Sequence, residues 1–259
     1  MVTALILSGG TGTRMGVEIP KQYIEVKGRP IIAYCLRTLL FHEGIDAVQV
    51  VADKMWRELI LECVNDVCAG ESDKDTRGEM ARQATSISSV ENGKKFRGFS
   101  APGETRQLSI LNGLEDISRY AGDSDYVLIH DAARPMVSAG QISDCLEAVR
   151  AGHDGALPIL PMKDTVYYSE DGSAVTSLLE RSRIFAGQAP ELFVLGKYRE
   201  ANRALLPERI YQINGSTEPA VMAGMDMAMI SGDERNFKIT TKADLERFQE
   251  IVYASESKV

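Results

Sequence analysis

Apolar and polar positions along this chain change period repeatedly, and each change marks an element. Residues 2–7 (VTALIL) form an apolar run that breaks at once into Gly9, Gly10 and Gly12, which predicts a buried strand ending in a turn. From Pro30 the period becomes helical: Ile31, Ile32, Tyr34, Cys35, Leu36, Leu39 and Leu40 make a broad apolar stripe. A short strand follows over 46–52 (DAVQVVA), then a helix over 55–67 carrying Trp56, Leu59, Ile60, Cys63, Val64 and Val67. Trp56 reads as packing rather than as a stacking platform. Residues 70–93 interrupt the rhythm with a polar stretch poor in large apolar residues, read as a surface insertion. A strand over 94–99 and a helix from 103–106 with Leu108, Ile110, Leu111, Leu114 and Ile117 resume it. Residues 125–129 (DYVLI) predict another buried strand, with the next helix starting near Ser138. Strand alternating with helix predicts an α/β fold, a single domain over 1–259 built on a doubly wound, mostly parallel sheet. Ligands of such sheets sit at the carboxyl ends of the strands.

The last third departs from simple alternation. After a strand over 155–160, Val166-Tyr167-Tyr168, a turn at Glu170-Asp171-Gly172-Ser173 and residues 174–179 carry the signature of a β-hairpin. Residues 185–193 (FAGQAPELF) and 215–220 (GSTEPA) follow. An amphipathic helix over 241–252 opens with Thr241 and Asp244, the spacing of a capping box. The final residues, 254–259, fray.

Bulk properties restrict the function classes. A net charge of −8 argues against nucleic acid as the main partner, because phosphate backbones are bound through basic surfaces. A local cation cluster can still oppose that sign and take a small anion. The four cysteines, Cys35, Cys63, Cys68 and Cys145, have no metal-ligand spacing. Three of them lie in helix-like apolar patterns, which reads as buried reduced thiols and a cytoplasmic protein. No apolar run approaches the roughly 20 residues needed to span a bilayer, so no membrane partner is expected.

The chemistry gathers at the predicted strand ends. The turn Ser8-Gly9-Gly10-Thr11-Gly12 lets backbone amides converge into an anion cradle. Arg14 and Lys21, the latter in Pro20-Lys21-Gln22, place two cations just past it. No Gly-Lys-Ser/Thr of a Walker loop occurs, and Met15 replaces the third glycine of the dinucleotide fingerprint. Gly103 opens a helix whose first turns bring Arg106 and Ser109 to the same edge. His130-Asp131-Ala132-Ala133-Arg134-Pro135 ends the strand over 125–129. Asp131 stands where a metal bound to phosphates would lie, with Arg134 to balance its charge. His130 reads as a satisfied, half-buried histidine rather than an acid or base.

Residues 5–15, Pro20-Lys21-Gln22, Gly103 with Arg106 and Ser109, and 130–135 together resemble the family of 2-C-methyl-D-erythritol 4-phosphate and ribitol-5-phosphate cytidylyltransferases. The resemblance runs to about Val252 and implies a Rossmann-like nucleotidyltransferase with a protruding hairpin arm. It implies transfer of CMP from CTP to a polyol phosphate, with Mg²⁺ as cofactor and pyrophosphate as leaving group. By the same resemblance Gly103 and Ser109 lie beside the base, and the arm over 163–186 forms a homodimer. Arg235-Asn236-Phe237-Lys238-Ile239-Thr240-Thr241 resembles the family's strand bearing a substrate lysine, and that lysine, Lys238, together with Lys163, reaching the partner's site, would bind the acceptor phosphate. The sequence departs from the family in its longer insertion over 70–93. Ala189 stands where a threonine is common, and Glu218-Pro219 where two acidic residues are common. The methylerythritol acceptor is favoured by 130–135 and Lys163-Asp164-Thr165; Gly187-Gln188 leans toward ribitol. Two other classes were weighed. A nicotinamide-dependent oxidoreductase lacks the third glycine, and a silent nucleotide-binding protein sits poorly with Arg14, Lys21 and Asp131 all present.

Overall fold

The computed structural model describes residues 1–10, 19–69 and 93–254. Thr11, Gly12, Arg14 and all but the last residue of the expected insertion lie outside the described residues. Strand β1 (Val2–Leu7) occupies the middle of an eight-stranded sheet. Its side chains alternate between faces, so Ala4 and Ile6 join one apolar cluster and Leu5 the other. A hairpin of β2 (Glu25–Val26) and β3 (Arg29–Pro30) follows, turning through Lys27 and Gly28 at φ 57° and 69°. Parallel to β1 run β4 (Ala47–Val51) on one side and β6 (Tyr126–Asp131) on the other, with β5 (Phe96–Ser100) parallel beyond β4.

Past β6 the direction changes. Strand β7 (Gly155–Pro161) leads into a separate two-stranded hairpin, β8 (Val166–Tyr168) with β9 (Ser177–Leu179). The chain returns through β10 (Phe185–Gly187), antiparallel to the end of β7. It then enters β11 (Glu191–Val194), antiparallel to both β6 and β7. Residues 185–194 therefore form two strands, broken at Gln188-Ala189-Pro190. Strand β12 (Met227–Ser231) adds parallel to β7.

Helices cover both faces, as the alternation predicted. Helices α1 (Ile31–Phe41) and α2 (Arg57–Ala69) pack on the Ala4–Ile6 face. Helix α3 (Arg106–Ile117) packs on the opposite face against Leu5, Val127 and Ile129. Helix α4 (Ala139–Arg150) joins α1 and α2, and its capping box at Ser138 and Gln141 confirms the expected start. Helix α5 (Leu195–Arg203) and the short α6 (Glu218–Met222) complete the α3 layer through Leu195, Tyr198 and Ala220. The expected final helix is α7 (Lys242–Ala254), whose buried Phe248 packs with Ile31, Val26 and Ile239. Asp244 Oδ2 accepts from the amides and hydroxyls of Thr240 and Thr241, which is the predicted cap.

All four cysteines are free and buried in helices. Trp56 stacks on Tyr23 with ring centroids 4.3 Å apart, the packing role expected of it. Among the described residues no helix is long and apolar enough to cross a membrane.

Candidate active site

At the carboxyl edge of the sheet the end of β1, the turn at Lys21, the start of α3, the end of β6 and the segment before α7 enclose a cavity of about 570 Å³. Gly9, Gly10, Lys21, Gly103, Arg106, Ser109, Asp131 and Lys238 all line it. Eight of the expected site residues, from segments far apart in the sequence, thus share one space.

Close packing shapes the glycine end of the cavity. A β-carbon on Gly9 would come within 2.9 Å of Pro102 Cβ. One on Gly103 would lie 2.5 Å from Leu108 Cβ and 2.9 Å from the Ser109 amide nitrogen. These two glycines let the loops after β1 and β5 touch each other and α3. The Gly103 amide donates to Ser109 Oγ (3.0 Å), and that hydroxyl donates to Thr105 O (2.9 Å), so Ser109 braces the loop. Gln22, buried below the glycine turn, donates from Nε2 to Ser8 O (2.8 Å) and Gly10 O (2.9 Å). Quoted in the sequence only as a neighbour of Lys21, it ties the turn to the lysine's own segment.

Ser8 does not line the cavity. Its amide donates to Val51 O at 2.9 Å, and its hydroxyl meets the Tyr23 hydroxyl at 2.8 Å. A cradle in this turn therefore starts at Gly9, not at Ser8.

Asp131 is the last residue of β6 and the electrostatic centre. Arg106 Nη2 lies 3.1 Å from its Oδ1, while Lys238 Nζ and Arg134 Nε lie 3.0 and 3.7 Å from its Oδ2. Burial alone would push this carboxyl up, but Arg106, Lys238 and Arg134 more than reverse that and hold it far below the usual range. It is permanently ionised. Lys21, Arg106 and Lys238 outnumber Glu104 and Asp131 on the cavity wall, a positive excess inside a chain of net charge −8. Arg134 stands behind Asp131 rather than in the cavity, and its Nη1 donates to Asn236 O at 2.7 Å. Lys238 sits in an extended segment outside any ladder, not the expected strand; Ile239 N bonds Ala133 O at 2.9 Å and anchors it.

Lys163 is exposed at the root of the hairpin and pairs with Glu234 of its own chain, away from the cavity. His130 is fully buried rather than half-buried, with Nε2 3.0 Å from Arg134 O and Nδ1 lacking a partner. Burial pushes it down to about 4, so it stays neutral and is neither acid nor base at pH 7. Glu191, which the sequence did not single out, hydrogen-bonds the Ser216 hydroxyl at the start of β11. Burial pushes it up to about 7, against the pull of Arg106. Nothing in residues 185–193 marks it, because its partners lie on β6, α3 and the 216–217 turn.

Among the described residues no group of three or more His, Cys, Asp or Glu is placed to hold a metal. Asp131 is one hard carboxylate whose two oxygens already meet Arg106, Lys238 and Arg134, so a divalent cation there would take the place of one of these pairings. The lining suits a polyanion, and among the described residues no nucleophile–base pair lines the cavity.

Comparison with known proteins agrees. Residues 2–254 match the family model described as IspD, 2-C-methyl-D-erythritol 4-phosphate cytidylyltransferase. The 2-C-methyl-D-erythritol 4-phosphate cytidylyltransferase of Rubrobacter xylanophilus is 33% identical over 258 residues, covering 98% of this chain and 95% of the relative. A ribitol-5-phosphate cytidylyltransferase of Streptococcus agalactiae is 29% identical, covering 99% and 97%. The fold is shared with the 4-diphosphocytidyl-2C-methyl-D-erythritol synthase of Anaerococcus prevotii, at a TM-score of 0.74, 21% identity and coverage of 98% and 96%. With the family model matched from the first strand to the last helix, this chain belongs to the IspD family of cytidylyltransferases, enzymes of the nucleotidyltransferase class.

Proposed function

We propose that this enzyme transfers CMP from CTP to the phosphate of a polyol phosphate, with 2-C-methyl-D-erythritol 4-phosphate as acceptor. The observation that carries the reading is the cluster of Arg106, Lys238 and Arg134 on Asp131, facing the glycine turn and Lys21 across one cavity. An acceptor phosphate oxygen attacks the α-phosphorus of CTP. The new P–O bond forms as the bond to the bridging oxygen breaks, and that electron pair leaves on pyrophosphate. A phosphate monoester with a second pKa near 6 is already ionised at neutral pH and needs no strong base. What the protein supplies is position and charge.

Gly9 and Gly10, with Thr11 and Gly12 beyond the described residues, cradle the nucleotide phosphates. Lys21 and Arg14 neutralise the triphosphate and the charge that develops on the leaving group, Gly103 and Ser109 shape the base pocket, and Lys238 receives the acceptor phosphate. Asp131 is the residue that would hold Mg²⁺, which would supply charge neutralisation beside the nucleotide phosphates. The enzyme acts in the cytoplasm as a homodimer joined by the β8–β9 arm. The arm's exposed Tyr167, Tyr168, Val175 and Leu178 are unusual on a free surface, and an isolated two-stranded hairpin is marginal in water. Lys163 from that arm is assigned to the partner's acceptor site, in competition with its pairing to Glu234.

Ribitol 5-phosphate is the second reading, favoured by the 29% identity to the streptococcal relative. Incubating the protein with CTP, Mg²⁺ and each polyol phosphate, and following pyrophosphate, separates them. Release is expected with 2-C-methyl-D-erythritol 4-phosphate. Faster release with ribitol 5-phosphate overturns the acceptor, and none with either overturns the reaction.

A further inference from the structure

Lys238 lies in no ladder: the Ile239 amide on Ala133 O holds the chain just after it, and the 233–236 turn fixes the chain just before it. That turn, residues 233–236, is gripped from one side by Gln188, buried between β10 and β11. Gln188 Oε1 accepts from the Asp233 amide at 3.0 Å, and its Nε2 donates to Asp233 O (3.0 Å) and Asn236 O (3.4 Å). Its own amide is fixed to Pro158 O at 2.8 Å. Asn236, fully buried, returns the grip by donating from Nδ2 to Ala189 O at 2.7 Å. Packing leaves the amide no slack, since a β-carbon on Gly232 would lie 2.6 Å from Gln188 Oε1. The same Asn236 carbonyl accepts from Arg134, whose guanidinium also faces Asp131, the partner of Lys238.

We propose that Gln188 is a positioning residue for Lys238: its side-chain amide reads the backbone of the 233–236 turn as a template and sets how far the lysine stands from Asp131. The arm's return leads straight into Gln188, and Lys163 at the arm's outgoing root pairs with Glu234 of the same turn. Both roots of the arm therefore border the turn that delivers Lys238. The inference rests on the reading of Lys238 as the acceptor-phosphate ligand, and it acts on the acceptor half of the site. Among the described residues, the nucleotide half on β1 and α3 shares no bond with Gln188.

The test is a double-mutant cycle on kinetics with CTP and whichever polyol phosphate the wild type uses. Gln188→Met keeps length and removes all three bonds. It is expected to reduce kcat/KM for the acceptor by roughly 10- to 100-fold, the effect of a misplacement near 1 Å, with KM for CTP within about twofold. In a Lys238→Ala background the same substitution is expected to change nothing further. Additive losses, or losses falling equally on CTP, overturn the proposal. If Lys238→Ala alone leaves the acceptor KM unchanged, it is the assignment of Lys238 that fails instead. Gln188→Glu serves as the second variant should Met not fold. It keeps the acceptor for the Asp233 amide but sets a carboxylate against two carbonyls, and is expected to show the same acceptor-selective loss; wild-type acceptor kinetics in a folded Gln188→Glu overturn the proposal.

Discussion

At Gly103 the chain passes so close to the first turn of α3 that any β-carbon meets backbone, not a yielding side-chain tip. Gly103→Ala must therefore shift the loop that faces Gly9 and Ser109. The expected result is a rise of about tenfold or more in KM for CTP with the fold retained, read by steady-state kinetics beside circular dichroism. Lys21, which lines the cavity across from Asp131, is expected to be more severe: Lys21→Ala should lower kcat on the order of 10²- to 10³-fold, as loss of a preorganised charge does. Near-normal turnover in the purified variant would remove it from the mechanism. Buried His130 and half-buried Glu191 also set opposing pH dependences. His130 is held down from 6.5 to about 4, so between those values the unfolded chain takes up a proton that the folded one refuses, and stability falls as pH falls. Glu191 is held up from 4.5 to about 7, so there the folded chain keeps a proton that the unfolded one releases, and stability falls as pH rises. The slopes oppose each other between pH 4.5 and 6.5. Glu191→Gln removes one of them, and urea unfolding of the variant is expected to gain stability with pH over that window by about 1.4 kcal/mol per unit more than the wild type. Parallel curves would show that Glu191 titrates normally.

Among the elements, those around the glycine turn and Asp131 were legible and those around Lys238 were less so. Strands β1, β4 and β6 are continuous apolar runs because both of their faces are covered, and such runs announce themselves. Gly103, Arg106 and Asp131 could be placed because each follows directly on such a strand or opens a helix. Helix α5 escaped because only Leu195, Gly196, Tyr198, Ala201 and Asn202 turn inward within a largely polar segment. Strand β12 escaped because it joins at β7, with Met227, Ala228 and Ile230 half-buried and Met229 exposed. Gln188 and Gln22 were invisible as clamps for a different reason: their partners are main-chain carbonyls and amides, which leave no mark in a sequence. The expected strand at Lys238 failed because its segment has a single anchoring bond to Ala133 instead of a ladder. Arg14, the second predicted catalytic cation, lies outside the described residues.

For the molecule as a whole, the arm is the part that a lone chain leaves unexplained. Tyr167 and Leu178 are 60% and 65% exposed, and they sit opposite one another in the β8–β9 ladder. Leu178→Asp is expected to shift the enzyme from dimer to monomer on sedimentation, and to weaken turnover if the partner completes the acceptor site. A monomeric wild type would end the argument for the arm. The cysteines add a different asymmetry. All four belong to the apolar cluster under α1, α2 and α4, and none to the cluster under α3 and α5. Burial pushes Cys35 and Cys145 up to about 12 and Cys63 to about 11, so the folded protein offers almost no thiolate to a modifying reagent. Labelling of Cys35 and Cys145, both fully buried, must wait for one layer to lift from the sheet, and only that layer can report. The rate at which a disulfide reagent reaches these two thiols is thus a clock for the opening of the α1–α2–α4 face. Hydrogen exchange over α3 and α5 would time the other, and the difference between the two clocks would tell whether the sheet sheds its two coats together or one at a time.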